Sequence, residues 1–159
     1  MKHILLASAL ALCLGAQAQE NVRSQSMADF EYVDEAQCHI AIDSQVQSVL
    51  PMLAIAWLQA GEIAQKARIR EAFDVALARG CDINAANFDG LAALHLAIIQ
   101  GDGDLVQYLL THGADPKRAI DSATPELNGL NAITLLERLQ EKDPATDRRR
   151  VQEALATRQ

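Results

Sequence analysis

The sequence predicts an all-α fold, a solenoid of about three helix-pair repeats whose first repeat is capped by a helical or irregular N-terminal extension. Three observations predict it. Apolar residues recur at helical spacing in short runs, as at Ile69, Ala72, Phe73, Ala76 and Leu77. The runs stop at glycine, as at Gly80 and Gly113. Finally, Gly80-Cys81-Asp82 recurs as Gly113-Ala114-Asp115, a shift of 33 residues that also carries Phe73 onto Val106 and Leu77 onto Leu110. Such a period marks repeats that bury their apolar faces on one another.

The chain starts with a targeting segment. Met1-Lys2-His3 is a short positive start, Ile4 to Gly15 is an apolar run, and Ala16-Gln17-Ala18 has the small-x-small cleavage pattern. Residues 1–18 are expected to be a signal peptide and the protein to act in the periplasm. The run is shorter than the roughly 20 residues a membrane helix needs, so no membrane span is expected. A lipid anchor through Cys13 is disfavoured, because bulky Leu12 sits where a small residue is preferred. The formal charge is -7 with a pI of about 5.0. Loss of Lys2 would leave 13 basic residues of the 14 against 21 acidic ones. This balance argues against nucleic acid or an anionic membrane and for a basic protein partner.

Loss of the leader also leaves Cys38 and Cys81, an even count where disulfides persist. Paired, they would close a long loop and stabilise the fold by roughly 4 kcal/mol on the chain-entropy model. The competing reading is that Cys81 is a small buried side chain in the Gly-Ala-Asp position. A metal site from Cys38, His39 and Cys81 lacks a second close-spaced ligand pair, and no cofactor is called for.

Residues 19–42 are polar and poorly periodic, but Phe30, Tyr32, Val33 and Ile40 are too apolar for a free tail. This extension is expected to fold back and shield the first repeat. From Asp43 to 159 the repeats follow. Val46, Val49, Leu50, Leu53 and Trp57 read as a first helix ended by Gly61, and the stripe from Ile69 to Leu77 as a second, closed by Gly80. The central stretch from Asn84 to Lys117 holds a turn at Asn87-Phe88-Asp89-Gly90, a helix through Leu94 and Ala97, a Gly101-Asp102-Gly103 link and a helix ended by Gly113. Gly129-Leu130-Asn131-Ala132-Ile133 echoes Gly90-Leu91-Ala92-Ala93-Leu94, with a lengthened loop at Ser122 to Glu126.

This central stretch resembles an ankyrin repeat. The likeness extends over roughly Asp43 to Leu155 and implies stacked helix pairs with a protein-binding role. Ala92-Ala93 stands where the family has Thr-Pro, so the helix that follows is expected to start less firmly; Asn131 keeps a capping residue in the third copy. By the same likeness His95 is structural, its ring bonded to neighbouring hairpin backbone. The family binds through hairpin tips and the concave edge of the first helices. That places Ala86, Phe88, Asp89, Leu91, Ile99 and Gln100 at contact positions, and Leu130 at the place matching Leu91. The bland alternative is that the 118–128 loop or the extension covers the apolar members of this row.

No catalytic constellation stands out. Ser44, Ser48 and Ser122 lie in no nucleophile elbow, and Gly101-Asp102-Gly103 lacks the Lys-Ser/Thr of a phosphate loop. Arg148-Arg149-Arg150 reads as a solvated face. The sequence thus favours a monomeric, non-catalytic interaction module, either an inhibitor or immunity protein for a toxin or an accessory to an exported enzyme such as one of oxidative stress. An enzyme without a recognisable motif is the other reading.

Overall fold

The computed structural model describes residues 31–157. The expected signal peptide at 1–18, the 19–30 part of the extension with Phe30, and the last two positions lie outside the described residues. Among the described residues the fold is mostly helical, with six helices and one two-stranded sheet.

The sheet corrects the expectation of a helical or irregular cap. Strands β1 (His39–Ile42) and β2 (Gln45–Ser48) pair antiparallel, Ile40 facing Gln47 and Ile42 facing Gln45. Their hairpin spans the expected boundary between Ile42 and Asp43. The turn is Asp43-Ser44, with φ of 48° and 67°. Two consecutive left-handed residues match the twist of a two-residue hairpin turn, a place where glycine is the usual signal. Ile40 is fully buried, and Tyr32 bridges to it as a further antiparallel contact. The Asp34 carboxylate accepts from the Cys38 and His39 amides and shapes the turn that leads in.

Helix α1 (Val49–Gln59) starts at Val49, later than the sequence pattern implied, because Asp43 to Ser48 belongs to the hairpin. Pro51 falls in its first turn, where a missing N–H costs nothing. Val49, Leu50, Leu53, Ala54 and Trp57 are buried. Helix α2 (Ile63–Ala78) buries Ile69, Phe73 and Ala76 and leaves its first turns exposed. It ends in a Schellman motif: the Gly80 amide donates to Leu77 O, the Cys81 amide to Ala76 O, and Gly80 takes a φ of 87°.

Helices α3 (Ala93–Gln100) and α4 (Gly103–Thr111) form the central pair. Helix α4 closes as α2 does, with Gly113 donating to Leu110 O and Ala114 to Leu109 O. Both Leu94 and Leu109 point inward, as the pattern required. Helix α5 (Ala132–Lys142) opens on a full capping box: the Asn131 side chain accepts from the Ile133 and Thr134 amides, and the Thr134 hydroxyl accepts from the Asn131 amide. Helix α6 (Arg149–Ala156) buries Val151, Ala154 and Leu155.

Helix α3 packs between α1 and α5, and α4 packs on α6. Phe73 of α2 meets the Tyr108 ring of α4 edge-on, centroids 5.6 Å apart. The disulfide joins Cys38 to Cys81, tying the base of the hairpin to the turn after α2.

Two outcomes follow from this packing. Replacing Leu110, 2% exposed, by Ala is expected to cost about 2 to 5 kcal/mol in urea unfolding; a loss below about 0.5 kcal/mol would contradict its place in the core. Replacing both Cys38 and Cys81 by Ser should lower stability by about 2 to 4 kcal/mol while the helical circular dichroism signal at low temperature is kept.

Candidate functional site

The central tip is held by one side chain. The Asn87 carboxamide oxygen accepts from the Asp89 amide at 3.0 Å and the Leu91 amide at 2.9 Å, and the Asn87 amide donates to Leu91 O. This closed loop presents Phe88, 68% exposed, with Asp89 beside it in solvent. A bare benzyl group held out on a self-closed turn contributes nothing to the core.

Leu91 departs from the expected contact row. It is only 8% exposed, and the chain just before it is covered by the third loop: a Cβ on Gly90 would lie 1.8 Å from Asp121 O. Leu91 is therefore a core residue, not a surface anchor, and the covering by the 118–128 loop is its physical reason. That loop is held by Ile120, whose amide donates to Leu130 O and whose carbonyl accepts from the Gly129 amide, each at 2.8 Å. Leu130 is half-buried as a result. Ile99 is also half-buried and Gln100 exposed, but they sit at the far end of α3, roughly 12 Å along its axis from the tip. Of the expected row, Phe88 and Asp89 stand together at the tip and Gln100 lies apart. Ala86, half-buried, bridges to Ala92 at the base.

Exposed apolar residues also escaped the sequence reading, Val46 and Ile63 among them. Val46, on β2 beside the Asp43-Ser44 turn, is 63% exposed. The turn carries no glycine, so the hairpin that displays Val46 gave no local signal.

The titratable groups are occupied by structural work. His95 is buried; its Nδ1 accepts from the Ala92 amide at 3.1 Å and its Nε2–H donates to Arg118 O at 3.2 Å. These two bonds fix the neutral tautomer, and burial, which disfavours the charged ring, pushes its pKa down. His95 thus supplies the reciprocal half of a capping box by satisfying the Ala92 amide, while Ala92 offers no side-chain acceptor to the first-turn amides. Asp102 Oδ1 caps α4 by accepting from the Leu105 amide, while Oδ2 accepts from Trp57 Nε1–H at 3.0 Å and Lys66 Nζ at 3.1 Å. Burial would raise its pKa, but these donors together hold it below the usual carboxylate range. Tyr108 donates to Asp74 at 2.6 Å; burial and that carboxylate push the phenol well above its ordinary value. His112 Nδ1–H donates to Tyr108 O at the end of α4.

A concavity of about 490 Å³ between α5 and α6 is lined by Gln140, Pro144, Thr146, Arg148, Arg149 and Gln152 among others. Arg148 is buried, not solvated, and donates to Asp143 O at 3.0 Å, while Arg149 clasps Asp147. Arg148 and Arg149 here each have an acidic neighbour, and the Thr146 hydroxyl donates to the Asp143 carboxylate. Among the described residues no group of three or more His, Cys, Asp or Glu side chains is placed to hold a metal ion, and no helix is long and apolar enough to cross a membrane.

The His95 pair of bonds makes stability depend on pH. A folded-state pKa held below 6.5 means that the unfolded chain takes up a proton first as the pH falls. Stability from this group is fully present above about pH 6.5 and is lost progressively below it. The urea midpoint should therefore drop between about pH 7 and about pH 5.5, and drop less in His95→Gln, whose side chain does not titrate.

Residues 89–122 match the ankyrin-repeat family model. No curated protein and no solved structure matches the chain. Ankyrin repeats are protein-interaction modules, typically without catalytic activity, and no enzyme family is found. The matched span runs from Asp89 at the tip, through His95 and the helix pair α3 and α4, to Ser122 of the loop against Gly90, and over these residues the chain carries an ankyrin repeat.

Proposed function

We propose that this chain is a non-catalytic binding module of the periplasm, a stack of about three ankyrin repeats that holds a protein partner with its hairpin tips and the concave face of α1, α3 and α5. The observation that carries this reading is Phe88. A large apolar side chain 68% exposed on a turn closed by Asn87 has no folding role, and an aromatic anchor is what a protein interface uses. Gln100 at the far end of α3 and the half-buried Ile99 and Leu130 would be secondary contacts, apart from the Phe88 tip. The leader pattern at 1–18 supports export, and a lone acidic binding unit suits an inhibitor or immunity protein that captures a toxin, since charge complementarity speeds encounter. An accessory to an exported enzyme would use the same surface, and the identity of the partner separates the two.

A photo-crosslinking residue in place of Phe88, in the full-length protein with its leader, is expected to trap one protein in the periplasmic fraction. The same probe at Ile63, 90% exposed on α2, should trap none. Equal trapping at both sites, or none at Phe88, would count against the tip. Phe88→Ser should leave stability within about 0.5 kcal/mol, whereas Leu91→Asp should cost about 2 kcal/mol or more because it buries a charge.

A further inference from the structure

We infer that the surface of the hairpin tips is built for a cationic protein segment that alternates basic and apolar residues, and that the β1–β2 hairpin is part of this surface. The inference rests on the protein-binding reading above and deepens it. Two of the large exposed apolar side chains, Val46 at 63% and Phe88 at 68%, lie on successive hairpins. Each has a carboxylate at hand: Asp43 in the turn before Val46, and Asp89 next to Phe88. The third loop adds Asp121 and Glu126.

These four carboxylates, like Glu35 and Glu62, differ from the loop acids that shape turns. Asp34, Asp82, Asp115 and Asp147 each accept from a backbone amide two to five residues on and so shape their turns. Asp43, Asp89, Asp121 and Glu126 accept no hydrogen bond and join no ion pair among the described residues. All four are exposed. Turn formation does not explain them, and at Asp43 and Ser44 the left-handed backbone suits glycine or asparagine better.

The loops stand side by side. The disulfide ties the base of the first hairpin to the stretch leading into the second. The Asp115 amide donates to the Asn84 side chain at 2.8 Å, and Gly90 abuts Asp121, which joins the second loop to the third. Lys117 and Arg118 lie at the base of the third loop, before its tip, and His39 is engaged by Asp34. The tip loops thus present four exposed carboxylates around two apolar knobs, against the two exposed cations Lys117 and Arg118 at the base of the third loop. A segment carrying Lys or Arg between apolar residues meets both features, whereas an acidic segment or a nucleic acid is repelled.

The test is selection of a random-peptide display library on the immobilised, disulfide-intact protein. Enriched peptides should combine Lys or Arg with apolar residues. A recovered peptide, synthesised and titrated, should lose about tenfold in affinity on the triple variant Asp43→Asn, Asp89→Asn, Glu126→Gln at low salt, and the loss should shrink as salt rises. It should also weaken on Val46→Ser. Circular dichroism and disulfide content establish that each variant is folded. Neutral or acidic enriched peptides, or unchanged affinity in the triple variant, would overturn the cationic assignment, and unchanged affinity in Val46→Ser would remove the first hairpin from the surface. If peptides depend on Phe88 but not on the carboxylates, the binding role of the tip stands and the charge inference falls. If none depends on Phe88, both fall.

Discussion

No helix pair of this protein can hide its own apolar surface, and the rest of the structure follows from that. Helices α3 and α4 have eight and nine residues, well short of the roughly 12 to 15 that an isolated helix needs to persist in water. Their stability is borrowed from neighbours, α3 lying between α1 and α5 and α4 against α6. Close approach demands small residues at the seams. Ala93 and Ala97 are fully buried in α3. At Gly103 the start of α4 comes so near α6 that an added Cβ would sit 2.5 Å from Arg150 Cβ.

Apolar contact has no direction, so it leaves the register between neighbouring pairs open. Polar bonds across the seams close that freedom. His95 of α3 reaches the Arg118 carbonyl, Asn84 receives the Asp115 amide, and Tyr108 of α4 donates to Asp74 of α2. Asp102 joins three helices at once, capping α4 while accepting from Trp57 of α1 and Lys66 of α2. Lys66 also lies over the Trp57 ring, 5.1 Å from its centroid, which adds a cation–π contact to the same junction. Removing one partner from such a junction leaves a part-buried charge without its donors, so the loss exceeds that of a surface ion pair.

What could be read from the sequence was whatever is written locally. The glycine stops after α2 and α4, the capping box at Asn131 and the inward leucines all rest on residues close together in the chain, and they appear where the pattern put them. The first hairpin was missed because its turn uses Asp43-Ser44, a dipeptide with weak preference for the left-handed region, and its strands are four residues long. Leu91 was misplaced for a different reason. Position in a repeat says which side chains the fold can spare, but the lengthened loop from Ile120 to Asn128 covers this one from the next hairpin, a contact no local window contains. Arg148 was read as solvated because it sits in a run of three arginines; the insertion at Asp143 to Asp147 folds over it and gives its guanidinium a carbonyl acceptor.

Phe88 and Leu91, three residues apart, show how such a scaffold separates binding from folding. Asn87, just before Phe88, closes the turn onto the Leu91 amide, so that Leu91 is buried and Phe88 faces solvent. A change at the exposed tip is therefore expected to come at little cost in stability, which is the condition for one fold to serve many partners. The first hairpin reaches the same end by other means. Without glycine its turn has fewer unbound conformations to lose, and the Cys38–Cys81 bond fixes its base before any partner arrives. Association pays for every side chain and loop it must order, so tips already ordered keep more of their contact energy as affinity.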